Sequence, residues 1–343
     1  MTGARRVLLV GSVGLSDPET VFRTLAGTVG ELAPCLPDGE CGERTNWIGW
    51  QRRVVERNAA FEVGERRQVR IGGVARTADM YRLKEGIDPD SVDFGSLGYA
   101  DEAIRSWGIF KRLRDAGEIA AGTRFQVSLP TAVAVVSSNF MPHSQAAVEP
   151  AYERALKREL ARIVDRVPRD DLAIQWDVAQ EVLAADGGWA VHYDDPIDGA
   201  LERLARLSSH VPEPCLLGFH LCYGDPGHKH VKEPPDLAVC VAFANGLCER
   251  VSRQVDWVHM PVPKDRSDEA YFAPLANIAL SPGTRLYLGL VHMTDGVAGA
   301  KRRLDRATKL VSGFGIATEC GFGRRPPETI APLLGLHREI ARL

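Results

Sequence analysis

The feature that most constrains this chain is a repeated alternation of short apolar runs with longer amphipathic segments. Eight runs stand at 7–10, 32–36, 125–136, 172–176, 215–221, 255–260, 286–291 and 310–317. Short apolar runs bounded by turn residues read as strands covered on both faces. In the third run the strand proper ends near Leu129, because Pro130 lacks the N–H that a ladder needs. Asp17-Pro18-Glu19 opens the first helix, with Asp as a good N-cap and Pro suited to the first turn. Segments 149–167, 197–207, 237–251 and 297–311 carry apolar residues at helical spacing among many charges. Eight strands alternating with helices predict an α/β fold, a (β/α)8 TIM barrel with an outer ring of helices. A doubly wound open sheet is the competing arrangement.

A chain of 343 residues suggests roughly two domains at ~150 residues each. The strand count instead assigns 1–343 to one elaborated barrel. Its surplus length is an insertion at 41–122, between strands two and three. Charges and helix formers at 50–57 and 102–114 predict a helical elaboration with irregular stretches. Loops of that length usually shape a site or an interface.

Composition removes several classes. Lys and Arg number 42 against 45 Asp and Glu, a net charge of −3, which excludes a strongly basic nucleic-acid-binding surface. No apolar stretch approaches the ~18 residues of a membrane span. The 7–10 run is too short for a signal segment and reads as a strand. The seven cysteines (35, 41, 215, 222, 240, 248 and 320) are odd in number and scattered, unlike a disulfide framework. A reducing cytoplasm and a small-molecule substrate are expected, without nucleic acid or membrane as partner.

In a parallel barrel, catalytic residues stand at the C-terminal ends of the strands. Here those ends are chemically loaded: Ser12; Asp38, Glu40, Glu43 and Arg44; Asp177; His220, Cys222, Asp225, His228 and His230; His259, Lys264, Asp265 and Arg266; His292 and Asp295; Glu319, Cys320, Arg324 and Arg325. One such residue alone is usually structural, and Cys35, Cys215, Cys240 and Cys248 read as small buried hydrophobes. The weight lies in seven of eight predicted strand ends. His220-x-Cys222 is the sharpest local signal. Residues i and i+2 of a strand point the same way, so imidazole and thiolate could hold zinc with a distant third ligand, Cys320. The bland reading is a buried His beside an inert Cys. Asp194 and Asp195 lie in a loop that could reach the pocket mouth and have no assigned role.

These residues resemble a known family. Gly218-Phe219-His220-Leu221-Cys222-Tyr223 is similar to the zinc-binding His-x-Cys segment of cobalamin-independent methionine synthases. Thr318-Glu319-Cys320-Gly321-Phe322-Gly323-Arg324-Arg325 resembles that family's late Asp-Cys-Gly segment. Ile174-Gln175-Trp176-Asp177, Val10-Gly11-Ser12 and Asp38-Gly39-Glu40-Cys41-Gly42-Glu43-Arg44-Thr45-Asn46 are similar to three further motifs, in the same order over roughly 7–325. The resemblance is to one copy of the C-terminal catalytic barrel. It implies a barrel of the methionine synthase and uroporphyrinogen decarboxylase group and an enzyme like the 5-methyltetrahydrofolate–homocysteine methyltransferases. By motif, Ser12, Glu40 and Asp177 would hold the amino-acid part of a thiol substrate, with Arg44 in the same motif as Glu40. His220, Cys222 and Cys320 would bind zinc, which would present the acceptor as a thiolate. His292 would serve as proton donor, with Asp177 at the reacting end.

The departures shift the expectation. The family's Glu ligand falls on Pro263, with Asp265 or His259 as possible substitutes; Val178 replaces a Glu, and Asn46 an Asp. A zinc-dependent methyl transfer to a thiol or related nucleophile, other than methionine synthesis, is therefore expected. The alternative is a metal-free or differently metallated lyase or decarboxylase-like enzyme using Arg44, His228, His230, His292 and Arg324 on an acidic substrate. A barrel that binds without chemistry is the third reading.

Overall fold

The structure, a computed structural model, describes residues 3–71, 74–224 and 230–343. After helix α1 (Pro18–Val29), capped by the Asp17 carboxylate as its sequence predicts, comes strand β1 (Cys35–Pro37). The insertion holds helix α2 (Arg52–Arg57), strands β2 (Phe61–Ile71) and β3 (Val74–Leu83), and helix α3 (Tyr99–Asp115). The regular part continues β4 (Arg124–Pro130), α4 (Ala132–Asn139), α5 (Pro142–Arg166), β5 (Leu172–Val178), α6 (Gln180–Ala185), α7 (Pro196–Ser208) and β6 (Leu216–Leu221). It ends with α8 (Ala238–Arg250), β7 (Trp257–Pro261), α9 (Glu269–Phe272), β8 (Arg285–Val291), α10 (Gly296–Ala307), β9 (Gly315–Thr318) and α11 (Ile330–Ile340). Among the described residues, no helix is long and apolar enough to cross a membrane.

Seven strands form one curled parallel sheet, in the order β1-β4-β5-β6-β7-β8-β9. This agrees with a TIM-like barrel and removes the doubly wound alternative, whose strand order would reverse. The expected first strand is different. Residues 7–13 make only isolated parallel bridges: Val7 with Ile316 and Val13 with Phe322 on one side, Ser12 with Gly39 on the other. The Leu8 N–H donates to Ile316 O at 2.9 Å, and the Val13 N–H to Gly39 O at 2.8 Å. Side chains explain the interrupted ladder. Gln126 Nε2 donates to Leu9 O (3.0 Å) and Gln175 Nε2 to Val10 O (2.5 Å), so amides from β4 and β5 satisfy carbonyls that a neighbouring strand would otherwise use.

The third apolar run divides at Pro130 as expected, with β4 before it and α4 after it, capped by Thr131. The eighth run yields only β9, because 310 closes the turn after α10 and 311–314 are irregular chain leading to the strand. The insertion departs most. The helices expected at 50–57 and 102–114 are present as α2 and α3; between them, where irregular chain is expected, β2 and β3 pair as a long antiparallel hairpin. Gly72-Gly73 between two alternating segments is the sequence signal for it.

Strand alternation separates two apolar regions. Ile174, Trp176, Leu217, Phe219, Val258 and Leu288 belong to the large core under the helices. Leu8, Val10, Cys35, Ala173, Trp257, Tyr287 and Ala317 form a second, smaller cluster. Small residues make room for its rings: a Cβ on Gly218 would meet the Trp257 indole at 1.8 Å, and one on Gly315 the Tyr287 ring at 2.3 Å. Above this plug the same strand faces turn polar.

Candidate active site

Register does the assembly. Asp177 on β5 stands level with His220 on β6, and His220 level with His259 on β7. Cys222 lies just past β6, and Cys320 two residues past β9. The Cys222 and Cys320 sulfurs are 3.7 Å apart, and Cys320 Sγ is 3.7 Å from His220 Nε2. The three donor atoms lie within 4.8 Å of one another. A tetrahedral zinc ion with Zn–S of ~2.3 Å and Zn–N of ~2.0–2.1 Å needs S···S and S···N edges of roughly 3.8 and 3.6 Å. The donor set and its spacing therefore fit zinc. Among the described residues, this is the one group of three or more His, Cys, Asp or Glu side chains placed to hold a metal.

The substitutes for the missing carboxylate ligand go elsewhere. Pro263 is buried and Asp265 is exposed. His259 is fully buried; its Nδ1 is 2.8 Å from His220 Nδ1, and its Nε2 donates to Thr318 O at 3.0 Å. Burial, with the neighbouring imidazole, holds His220 well below the usual imidazole range, and burial brings His259 down to about 4. Both rings are neutral near pH 7.

A second group borders Cys320. Glu319 Oε1 is 2.6 Å from His230 Nε2, and Glu319 Oε2 is 3.6 Å from His292 Nδ1. His292 Nε2 donates to Val262 O at 2.8 Å. Burial works against charge on His230, but Glu319 and Glu233 outweigh it and raise its pKa to about 9. Burial is the largest influence on His292 and lowers it, against the pull of Glu319. Sequence reasoning places Glu319 at a strand end; its position between two imidazoles comes only with the fold. Asp225 and His228 lie outside the described residues.

The third group is acidic. Gln175 donates to Asp177 Oδ1 at 2.9 Å, the i, i+2 partner on the same strand face. Trp47 also hydrogen-bonds Asp177. Glu40 has a positive φ of 49°, an uncommon backbone for a non-glycine residue. A Cβ on Gly11 would stand 2.8 Å from Glu40 Oε1, so glycine there admits the carboxylate. Burial raises the pKa of both Glu40 and Asp177, and the charge of Asp177 raises Glu40 further. A small cavity of about 20 Å3, lined in part by Asp38, Glu40, Arg44, Gln126 and Ser128, adjoins them.

Arg44 is held by Asp38, Nη1 to Oδ1 at 3.1 Å and Nη2 to Oδ2 at 2.9 Å, and Ser106 donates to the same carboxylate at 2.7 Å. Ser12 Oγ accepts from the Gly323 N–H at 3.2 Å, tying the first segment to the loop after Cys320. Asp295 is drawn away by the fully buried Arg303, which grips both its oxygens at 2.7 and 2.8 Å. Glu43 pairs with Arg53 and Arg266 with Asp268, at exposed positions. Asp195 caps α7.

The chain is similar to a B12-independent methionine synthase from Shewanella sp. W3-18-1 in complex with selenomethionine. The TM-score is 0.59 at 14% identity, over 99% of this chain and 97% of that one. It is also similar to a methyltransferase from Methanosarcina mazei, with TM-score 0.52 at 11% identity, over 99% and 95%. The chain shares their fold. No protein-family model matches the sequence, and no curated protein does. At such identities the likeness speaks for the fold, and the chemistry rests on the site.

Proposed function

We propose that this protein is a zinc-dependent methyltransferase on a methionine-synthase-like (β/α)8 barrel, with residues 7–13 as its eighth staggered wall. Its acceptor would be a thiol, or a related soft nucleophile, on a small molecule that carries an ammonium group. The observation that carries this reading is the His220, Cys222 and Cys320 donor set at near-tetrahedral spacing. Three protein ligands and an open position are typical of catalytic rather than structural zinc. When bound, zinc would hold the acceptor sulfur as a thiolate at neutral pH.

The chain's own residues supply the rest. Glu40 and Asp177 would grip the ammonium group through charge-assisted hydrogen bonds, with Ser12 beside them. Arg44, neutralised by Asp38, shapes that recess rather than offering a free charge. As the S–CH3 bond forms, the donor's bond to the methyl carbon breaks and leaves its electron pair on the donor. His292 would protonate that atom. Its Nε2–H is committed to Val262 O, so Nδ1, beside Glu319, is the nitrogen through which His292 would take up that proton and pass it on. Loss of the family's Glu at Pro263 and Val178 points to an acceptor other than that of methionine synthesis.

The decisive experiment combines metal analysis with transfer assays. Protein purified without added metal should hold close to one equivalent of zinc, and Cys222→Ser should hold less than about a tenth. Labelled methyl donors should transfer to short aminothiols only with the zinc form. A metal content below a tenth of an equivalent in the unmodified chain would sink the reading. The His230–Glu319–His292 group favours the lyase alternative, in which proton transfer to an acidic substrate needs no metal. Turnover of carboxylate substrates by a Cys222→Ser, Cys320→Ser double variant would establish it.

A further inference from the structure

We propose that His259 is a positioning residue: it fixes His220 in the tautomer whose bare Nε2 faces the sulfurs of Cys222 and Cys320. The proposal rests on the metal reading above and deepens it. Thr318 O is a carbonyl oxygen and can only accept, so His259 Nε2, 3.0 Å away, carries the proton. The other nitrogen of a neutral imidazole is then an acceptor. His259 Nδ1 is 2.8 Å from His220 Nδ1, so the proton in that contact belongs to His220. His220 Nε2 is left with a lone pair, 3.7 Å from Cys320 Sγ.

The chain of bonds returns to its starting strand. Thr318 accepts from His259 through its carbonyl, and its hydroxyl donates to Cys320 O at 2.7 Å. One short segment of β9 and its end thus orients both the nitrogen donor, through β7 and β6, and the sulfur donor directly. The opposite proton arrangement sets the His259 Nε2 lone pair against the lone pairs of Thr318 O. Both imidazoles are buried, 3% exposed for His220 and 0% for His259, and both nitrogens of His259 are committed. His259 is therefore a poor fourth ligand and a good holder of the first. Metal-ligating histidines commonly have their second nitrogen fixed in this way, and loss of that partner typically costs ~10–100-fold in metal affinity.

Two measurements test this, neither of them activity. In two-bond 1H–15N correlation spectra of the unmodified protein, His220 should appear as the Nδ1–H tautomer and His259 as the Nε2–H tautomer. The reverse assignment for His220 would overturn the proposal, and needs no variant to fold. In competition with a coloured zinc chelator, His259→Leu should bind zinc ~10–100-fold more weakly than the unmodified chain. His259→Asn, which keeps an acceptor near the Nδ1 position, should recover most of the loss. An unmodified chain that binds no zinc overturns the metal reading, and the positioning role with it. An unmodified chain that binds zinc while His259→Leu binds it equally tightly overturns the positioning role alone.

Discussion

The sulfurs of Cys222 and Cys320 lie 3.7 Å apart although 98 residues separate them in the chain. Two thiols from the ends of β6 and β9, with an imidazole nitrogen beside them, have few reasons to converge in a protein whose other cysteines are dispersed. If the convergence serves a metal, the folded chain binds it and the unfolded chain does so poorly. Free zinc at ~1,000 times its dissociation constant then stabilises the fold by roughly 4 kcal/mol. Stripping the protein with a chelator should lower its unfolding midpoint by several degrees, and one equivalent of zinc should restore it. Cys320→Ser should melt at the same temperature with and without zinc. A midpoint indifferent to zinc in the unmodified protein would contradict the metal reading.

The residue that precedes helix α3, Gly98, has no side chain with which to cap it. The buried carboxylate of Glu159, from α5, does so instead. Its Oε2 accepts from the Ala100 N–H at 2.6 Å, and Oε1 from the Leu97 N–H at 3.0 Å. An anion at a helix N-terminus is favoured by both the free N–H groups and the macrodipole. Glu159→Ala leaves these donors buried without a partner and should cost ~3 kcal/mol, at ~1–3 kcal/mol for each unsatisfied group. Urea unfolding measures it, and Glu159→Gln should fall between. A loss under ~0.5 kcal/mol, the scale of a neutral surface change, would show that α3 is capped by solvent instead.

Gly218 stands two residues before His220 on the same strand face, and the Trp257 indole occupies the space a side chain would need. Trp257 is also anchored, donating from Nε1 to Gln175 Oε1 at 3.3 Å. Gly218→Ala should displace the ring and destabilise the fold by up to ~3 kcal/mol, the usual scale for overpacking. Adding Trp257→Leu should recover part of that loss, since contacting sites are not additive. Equal losses in the single and double variants would place the strain elsewhere.

How much of this was legible in the sequence depends on the distance over which each decision is made. Pro130 lacks a donor, so the end of β4 and the start of α4 could be read locally. His220-x-Cys222 was legible because a strand repeats every two residues. The partnership of His220 with His259 was not, because it depends on the register of β6 against β7, which no local pattern fixes. Likewise Glu319 reads as one more strand-end acid until the fold sets His230 and His292 on either side. Residues 7–10 read as a strand by hydrophobicity, yet the carbonyls of Leu9 and Val10 are taken by side-chain amides from β4 and β5. The insertion's two helices are legible in their charges and helix formers, whereas the hairpin of β2 and β3 stands where irregular chain is expected, with Gly72-Gly73 its one local signal.

The acidic pair gives the sharpest pH prediction. Burial raises Asp177 to about 7, and burial with the charge of Asp177 raises Glu40 to about 8. Both folded values lie above the ordinary 3.8 and 4.5, so between pH ~4 and ~8 the folded chain holds protons that the unfolded chain has released. The stability these groups contribute is full below the ordinary carboxyl range and is lost as pH rises through 7 to 8. An ammonium ligand reverses the preference, because it needs the carboxylates ionised. Its binding should therefore strengthen as pH rises toward 8 and release protons within the same window. L-Norleucine carries the ammonium group without a thiol, so titration calorimetry in two buffers of different ionisation enthalpy isolates this effect. Between one and two protons should be released at pH 6 and almost none at pH 9, and Glu40→Gln should lower the pH 6 value by about one. Binding at pH 6 with no proton release would show that the ammonium group is held elsewhere.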